Sequence, residues 1–405
     1  MTTTQDSFHF STRLPRLIVT DLDGTLLNPQ HTISERSIQA LSHAQKHHLH
    51  VANGKEDKET RTIQTNGSST VNTIATTQKP IQIMIASGRS PRSIQKVIDL
   101  FKGQMIPDTV ICCNGALNYN PHTKQIAHPQ FIPLDQCLLM VQRLRTVITT
   151  CPTPTSLVPP KTIEGFDLGP VEGHQRHSTS VNDSANQDDP LIPGRPGFAC
   201  EVIWFEGMST DTQEPIYAQD TTFVCDQVWE VQRKHSFYYK YTLLEEKEDG
   251  SATQPAMEEF IQSLQGRGGI IKLLALDRNR AAPEVFESLP KNMRPASSTL
   301  TSTTSTSEPK EAQMSLTYSG PYFLEASAAG VNKGLGLRKY CEANQISRDD
   351  VVAFGDLLND AEMLQYAGMG LCMGNGHEDM KMLADRVIGT NAEDGVAKEI
   401  ESWFV

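Results

Sequence analysis

The chain lacks any apolar run approaching the ~20 residues of a membrane span, and residues 1–16 are polar, without the apolar core of a signal peptide. It is short of aromatics (6%) and of hydrophobic residues altogether (38%). Such a composition implies that part of its length is polar insertion rather than packed core. No basic run stands out among 36 Lys and Arg set against 48 Asp and Glu, and the net charge is −12. That disfavours nucleic acid, whose binding rests on clustered cations meeting phosphates. A small phosphorylated substrate stays possible, because a metal and a few local cations overcome the global field. The eight cysteines form no CxxC pair and no regular ladder, which argues for a reducing compartment; Cys112 and Cys113 read as small core residues. The expectation is a cytoplasmic protein with no membrane and no nucleic acid among its partners. At 405 residues it has room for two domains.

What is present is organised around LIVTDLDGTLLN, residues 17–28. Leu17, Ile18 and Val19 make a short β-branched apolar run, the pattern of a strand buried on both faces. It ends in Asp21 and Asp23, with Gly24 directly after. Two carboxylates at i and i+2 repel each other, and the cost is tolerable only if a cation or a shared proton relieves it. Gly24 opens a backbone geometry closed to other residues and lets N–H groups face an anion. A bare DxD is usually an acidic turn; DLDGT behind a buried strand is more specific.

Further along, Ser34 is placed to cap a helix with Ile38, Leu41 and Ala44 on one face. His43, His47, His48 and His50 gather near its end, where histidines meet the helix dipole rather than a metal. Residues 52–79 are polar and aperiodic and read as an insertion. Ile81–Ala86 is a second buried strand running into Ser87-Gly88-Arg89, and Pro91 opens a helix carrying Ile94, Val97, Ile98 and Phe101. A third strand, Val110–Cys113, ends at Asn114-Gly115. This alternation is that of a parallel α/β sheet, with polar residues at the carboxyl ends of the strands, where such sheets bind ligands. The middle of the chain turns to mixed α+β. Helices are expected around Leu138–Ile148 and Met257–Leu264, and strands at Phe198–Trp204, Ile270–Leu276, Met314–Tyr318 and Tyr322–Glu325. Biased tracts at about 151–196 and 297–313 lack the apolar residues to offset ordering entropy. The parallel rhythm then resumes with Val331-Asn332-Lys333-Gly334 opening a helix, a strand Val351–Phe354 ending in GDLLND, and short strands near 370–373 and 386–388.

DLDGT, the strand-ending Ser87, the helix-opening Lys333 and the Asp356/Asp360 pair, in that order, resemble the four signatures of the haloacid dehalogenase (HAD) superfamily, whose members mostly transfer or hydrolyse phosphoryl groups. ASGR, CNGA, YFLEASAAGVNKG, GDLLNDAEML and MGNGHEDMKMLADRVIGTNAEDGVA are similar to the Cof-type phosphatases, which carry a large α+β cap between the second and third signatures. The three polar insertions depart from that pattern, as does Ser87 where Thr is common. The resemblance implies a Rossmann-like α/β core at 1–116 and 326–405 and a cap at 117–325. It implies Asp21 as nucleophile, Asp23 as general acid and base, and Lys333 as a third catalytic group with Asp360 supporting it. Mg²⁺ is expected on Asp21, the Asp23 carbonyl and Asp356, an all-oxygen set suited to a hard cation. Gly24, Ser87, Gly88, Arg89, Asn114 and Asn359 are the expected phosphate or substrate contacts. The expected activity is hydrolysis of small phosphate monoesters through an aspartyl-phosphate. A phosphomutase on the same core, or an inactive phospho-metabolite-binding protein, is left open.

Overall fold

The computed structural model describes residues 14–51, 77–150, 196–211, 213, 215–226, 228–229, 241–244, 256–277, 280–290, 314–318 and 323–404. Residues 52–76, 151–195 and 297–313 of the expected insertions lie outside the described residues. Thr77–Pro80, whose first three residues the sequence reading gave to the first insertion, is instead a strand paired antiparallel with His48–Val51. No described helix is long and apolar enough to cross a membrane. By its internal contacts the chain forms two compact units, one of residues 1–88, 94–123 and 332–405 and the other of 89–93 and 124–331.

In the first unit we number the strands β1 (Leu17–Asp21), β2 (Gln82–Ala86), β3 (Thr109–Cys112), β4 (Leu117–Asn120), β5 (Val351–Gly355), β6 (Met369–Cys372) and β7 (Arg386–Val387). They line up as β7-β6-β5-β1-β2-β3-β4. All neighbours are parallel except β3 and β4. From β1 the chain builds outward through β2 and β3, then returns to the other side of β1 as β5. The sheet order therefore reverses at β1, the kind of switch point beside which open α/β sheets bind ligands. Every residue of β1 and β5 is buried, which explains their unbroken apolar runs. Helix Glu35–Lys46 starts where expected, with the Ser34 side chain accepting from the Ser37 N–H. It buries Ile38, Leu41 and Ala44, and each large side chain contributes about 1.5–3 kcal/mol of transfer free energy. His43 and His47 pack their rings against Phe404, at 4.8 and 5.1 Å between centroids.

The second unit is a mostly antiparallel sheet in the order Thr242–Leu244, Thr222–Asp226, Gly197–Met208, Gly268–Leu276, Leu324–Ala328, Met314–Thr317. Alternate residues divide its two faces, as the strand period of two requires. Phe198, Cys200, Val202, Leu273 and Ala275 meet Cys137, Val141, Leu144 and Ile148 of helix Leu134–Thr150 and Met257 and Ile261 of helix Ala256–Ser263. Ala199, Phe223, Cys225, Leu274 and Leu276 cluster with Trp229 on the opposite face. All described cysteines are buried and unpaired by disulfides.

Candidate active site

Three neighbouring strands of the first unit end in polar residues at one level. Asp21 is the last residue of β1 and pairs in register with Ala86 of β2, so Ser87 lies one step beyond it. Thr20 pairs with Phe354 of β5, and Asp356 follows that strand's last residue, Gly355. After Asp21 the chain curls back on itself: the Thr25 and Leu27 N–H groups donate to the Leu22 carbonyl at 3.3 and 2.8 Å, and the Leu26 N–H donates to the Asp21 carbonyl at 3.3 Å. The curl depends on Gly24, whose φ of +89° is left-handed, and a β-carbon there would lie 2.2 Å from Asp356 Oδ2. Within it Asp23 is exposed while Asp21 is buried.

Lys333 reaches this point from the first residue of helix Lys333–Ala343, which Asn332 caps by accepting from the Leu335 N–H at 2.7 Å. The helix can come so close because position 115 is glycine, at φ +100°; a β-carbon there would lie 1.9 Å from the Asn332 carbonyl oxygen. The Lys333 ammonium, 1% exposed, donates to Asp21 Oδ1 at 2.5 Å and to Asp360 Oδ1 at 2.7 Å. Asp360 Oδ2 accepts from the Asp356 and Leu357 N–H groups at 3.0 and 3.1 Å. Both Asp360 oxygens are thus committed, one to a cation and one to backbone. Thr25 donates its hydroxyl to Asp356 Oδ1 at 2.9 Å.

Burial pushes the Asp21 carboxyl well above the usual carboxylate range; Lys333 opposes the shift, and Asp360 and Asp356 reinforce it. The Asp356 carboxyl is pushed up to about 6, first by burial and then by Asp360, against the hydroxyl of Thr25. For Lys333 burial acts downward, but Asp21 and Asp360 together hold the ammonium above its ordinary value. The cluster therefore has more negative charge than its one lysine balances. Asp21, Asp356 and Asp360 offer carboxylate oxygens all within 4.8 Å of one another. Because Asp360 is committed elsewhere, Asp21 and Asp356 are the oxygens left for a hard divalent cation, and such a donor set fits Mg²⁺.

Ser87 is buried, its N–H bonded to the Ile111 carbonyl and its own carbonyl to the Asn114 N–H, at 2.8 and 3.0 Å. Asn114 sits at φ +53° in a short turn beside Gly88, and its Oδ1 accepts from Asn359 Nδ2 at 3.5 Å. Asp21, Lys333, Asp356 and Asp360 are in one bonded cluster, and Ser87, Gly88, Asn114 and Asn359 are linked in the same unit. Arg89 belongs to the second unit by its contacts. Sequence reasoning assigned no role to Thr25, Gly115 or Asn332. Thr25 and Gly115 sit inside the quoted DLDGT and CNGA, and Asn before a helical run is a capping signal; what each touches was not written in those signals.

A family profile described as haloacid dehalogenase-like hydrolase matches residues 18–68, 57–147 and 203–400. Over 96 residues the chain is 42% identical to the 5-amino-6-(5-phospho-D-ribitylamino)uracil phosphatase YcsE of Bacillus subtilis, covering 24% of this chain and 39% of that protein. It is 42% identical over 83 residues to YitU, a 5-amino-6-(5-phospho-D-ribitylamino)uracil phosphatase of the same organism, covering 20% of this chain and 31% of YitU. These two matches thus span well under half of either relative. The pyridoxal phosphate phosphatase YbhA of Escherichia coli aligns over 390 residues at 21% identity, covering 96% of this chain and 99% of YbhA. Solved structures share the fold. A haloacid dehalogenase-like hydrolase from Bacteroides thetaiotaomicron has a TM-score of 0.52 at 21% identity, covering 96% of this chain and 99% of its own. The protein TM0651 of Thermotoga maritima scores 0.53 at 18% identity, covering 96% of this chain and 97% of its own.

Proposed function

Because this chain belongs to the haloacid dehalogenase-like hydrolases, we propose that it is a phosphatase hydrolysing small phosphate monoesters through an aspartyl-phosphate on Asp21. The observation that carries the reading is Lys333, buried and bonded to both Asp21 and Asp360 at the end of the switch-point strand, with Asp356 one strand away. Phosphate monoesters hydrolyse so slowly unaided that a barrier reduction of about 20 kcal/mol or more is needed. Asp21 attacks phosphorus as the ester oxygen departs, and Asp23, exposed on the curl, gives that oxygen a proton. Asp23 then takes a proton from the water that attacks the aspartyl-phosphate, which releases phosphate and restores Asp21. Lys333, fixed by Asp360, holds Asp21 in its direction of attack and balances charge on the phosphoryl oxygens. Ser87 is the further phosphoryl contact of this reading, and Gly24, Gly88, Arg89, Asn114 and Asn359 are its phosphate or substrate contacts.

Asp21, the Asp23 carbonyl and Asp356 would hold Mg²⁺, which when bound supplies charge neutralisation between nucleophile and phosphate. The second unit, interrupting the core sequence between Ser87 and Asn332, is the cap of this reading and the source of substrate choice. The names of the curated relatives support a phosphorylated metabolite as substrate. The test is turnover of a panel of phosphorylated metabolites with Mg²⁺ and again with excess EDTA. Hydrolysis that the chelator suppresses is expected; full activity in EDTA overturns the metal assignment, and no hydrolysis of any ester overturns the reading.

A further inference from the structure

Building on the phosphatase reading, we infer that Asn375 is a positioning residue that fixes the loop presenting Asp23, with Asn391 setting the direction of its amide. The curl after β1 satisfies its own N–H groups at Thr25, Leu26 and Leu27 from within. Two of its carbonyls are met from a distant part of the sequence. Asn375 Nδ2 donates to the Gly24 carbonyl at 2.8 Å, and Asn391 Nδ2 donates to the Leu27 carbonyl at 2.8 Å. The Asn391 N–H in turn donates to Asn375 Oδ1 at 2.9 Å. That bond occupies the amide oxygen and leaves the amide nitrogen to face Gly24. The segments bearing the two asparagines are themselves joined, Gly374 N–H to the Gly389 carbonyl at 3.2 Å.

The clamp acts on the peptide between Gly24 and Thr25. Gly24 has no β-carbon to confine it, so the peptide plane between Gly24 and Thr25 can turn at little steric cost. The Thr25 N–H holds one side of that peptide on the Leu22 carbonyl at 3.3 Å, and the Thr25 hydroxyl ties its side chain to Asp356. Asn375 pins the Gly24 carbonyl on the other. Asp23, adjoining Gly24, takes its direction from the plane so fixed. Asn375 is exposed and the bond is at the surface, so its loss leaves the buried strands intact while freeing the loop. A proton donor displaced by ~1 Å loses about a hundredfold in rate, and only where the leaving oxygen needs the proton.

The experiment compares kcat/KM for p-nitrophenyl phosphate, whose leaving group scarcely needs protonation, and β-glycerol phosphate, whose leaving group does. It uses the wild type, Asn375→Asp, Asn375→Ala, Asp23→Asn and the double variant Asp23→Asn/Asn375→Ala. Asn375→Asp keeps the shape and the acceptor for the Asn391 N–H but removes the donor to Gly24. Both Asn375 variants should lose about tenfold to a hundredfold on the alkyl ester. On the aryl ester they should lose less than about threefold, and in the Asp23→Asn background Asn375→Ala should add less than about twofold, because it acts through Asp23. Their thermal midpoints should match the wild type. Equal losses on both esters, an additive loss in the Asp23→Asn background, or no loss at all overturns the positioning role. If the wild type turns over and Asp23→Asn shows the leaving-group split while Asn375→Ala does not, only this inference fails. A wild type that hydrolyses neither ester removes the phosphatase reading and the inference with it.

Discussion

Both units bury charge, but they balance it differently. In the second unit three buried pairs stand out: Arg145 with Glu258 at 2.9 Å, Lys272 with Glu325 at 3.0 Å and Arg92 with Glu201 at 3.5 Å, the last loose enough that burial still raises the Glu201 carboxyl. In the first, Asp21, Asp356 and Asp360 crowd together, and Lys333 bridges two of them. A one-to-one pair with two good hydrogen bonds, as Arg145 makes to Glu258, repays much of its desolvation. Three carboxylates with one ammonium do not, which is why burial and mutual repulsion drive Asp21 and Asp356 upward. An excess of buried carboxylates in one cluster is the pattern of a functional site, whereas a balanced pair is the pattern of architecture.

The largest expected effect follows from removing the attacking group. Asp21→Asn nearly preserves volume and should abolish both turnover and acid-stable labelling of the chain by a phosphorylated substrate in a quenched time course; retained labelling of that variant would show that another residue attacks. Next, Lys333→Met deepens the imbalance by taking away the one cation, and should lower stability by about 3–5 kcal/mol in denaturant titrations. A change below about 1 kcal/mol would show that the cluster sheds its charge by protonation instead.

In the second unit, Arg145→Met alone strands a buried Glu258 and should destabilise by about 3 kcal/mol. Adding Glu258→Leu should bring stability back to within about 1 kcal/mol of the starting protein. If the double variant is no better than the single one, the pair is not the self-contained unit described.

The smallest effect is the pH dependence of cation stabilisation. Metal-free, the Asp356 carboxyl sits at about 6 rather than 3.8, so between roughly pH 4 and 6 the folded chain holds a proton the unfolded chain has released. Stability then falls as pH rises through that window. A Mg²⁺ ion on Asp356 would displace the proton and, at ~100 times its Kd, would add about 2.7 kcal/mol above the window. The Mg²⁺-induced thermal shift should therefore be larger at about pH 7.5 than at about pH 5; equal shifts would place the cation away from Asp356.

The sequence by itself determined the frame of the first unit and the identity of its central residues. Buried parallel strands need continuous apolar runs, and their ends need turn residues, so LIVT before Asp21, IQIMIA before Ser87 and VVAF before Asp356 placed three strand ends from local pattern alone. Ser34 before its helix was likewise legible, because a cap is satisfied within a few residues of itself. Thr77–Lys79 was misread for the opposite reason: its polar residues carry no period, and only pairing with His48–Val51 makes them a strand.

What the tertiary structure alone decided is which side chains meet across long stretches of sequence. Lys333 on Asp21, Thr25 on Asp356, Gly115 beneath Asn332 and Asn375 on Gly24 are all contacts of this kind. A local pattern reports the period of an element and the chemistry of its ends. The distance between two elements depends on what packs between them, and at position 115 that comes down to a missing β-carbon, so the commitment of Asp360 and the charge imbalance of the site exist only once the sheet and its helices have assembled.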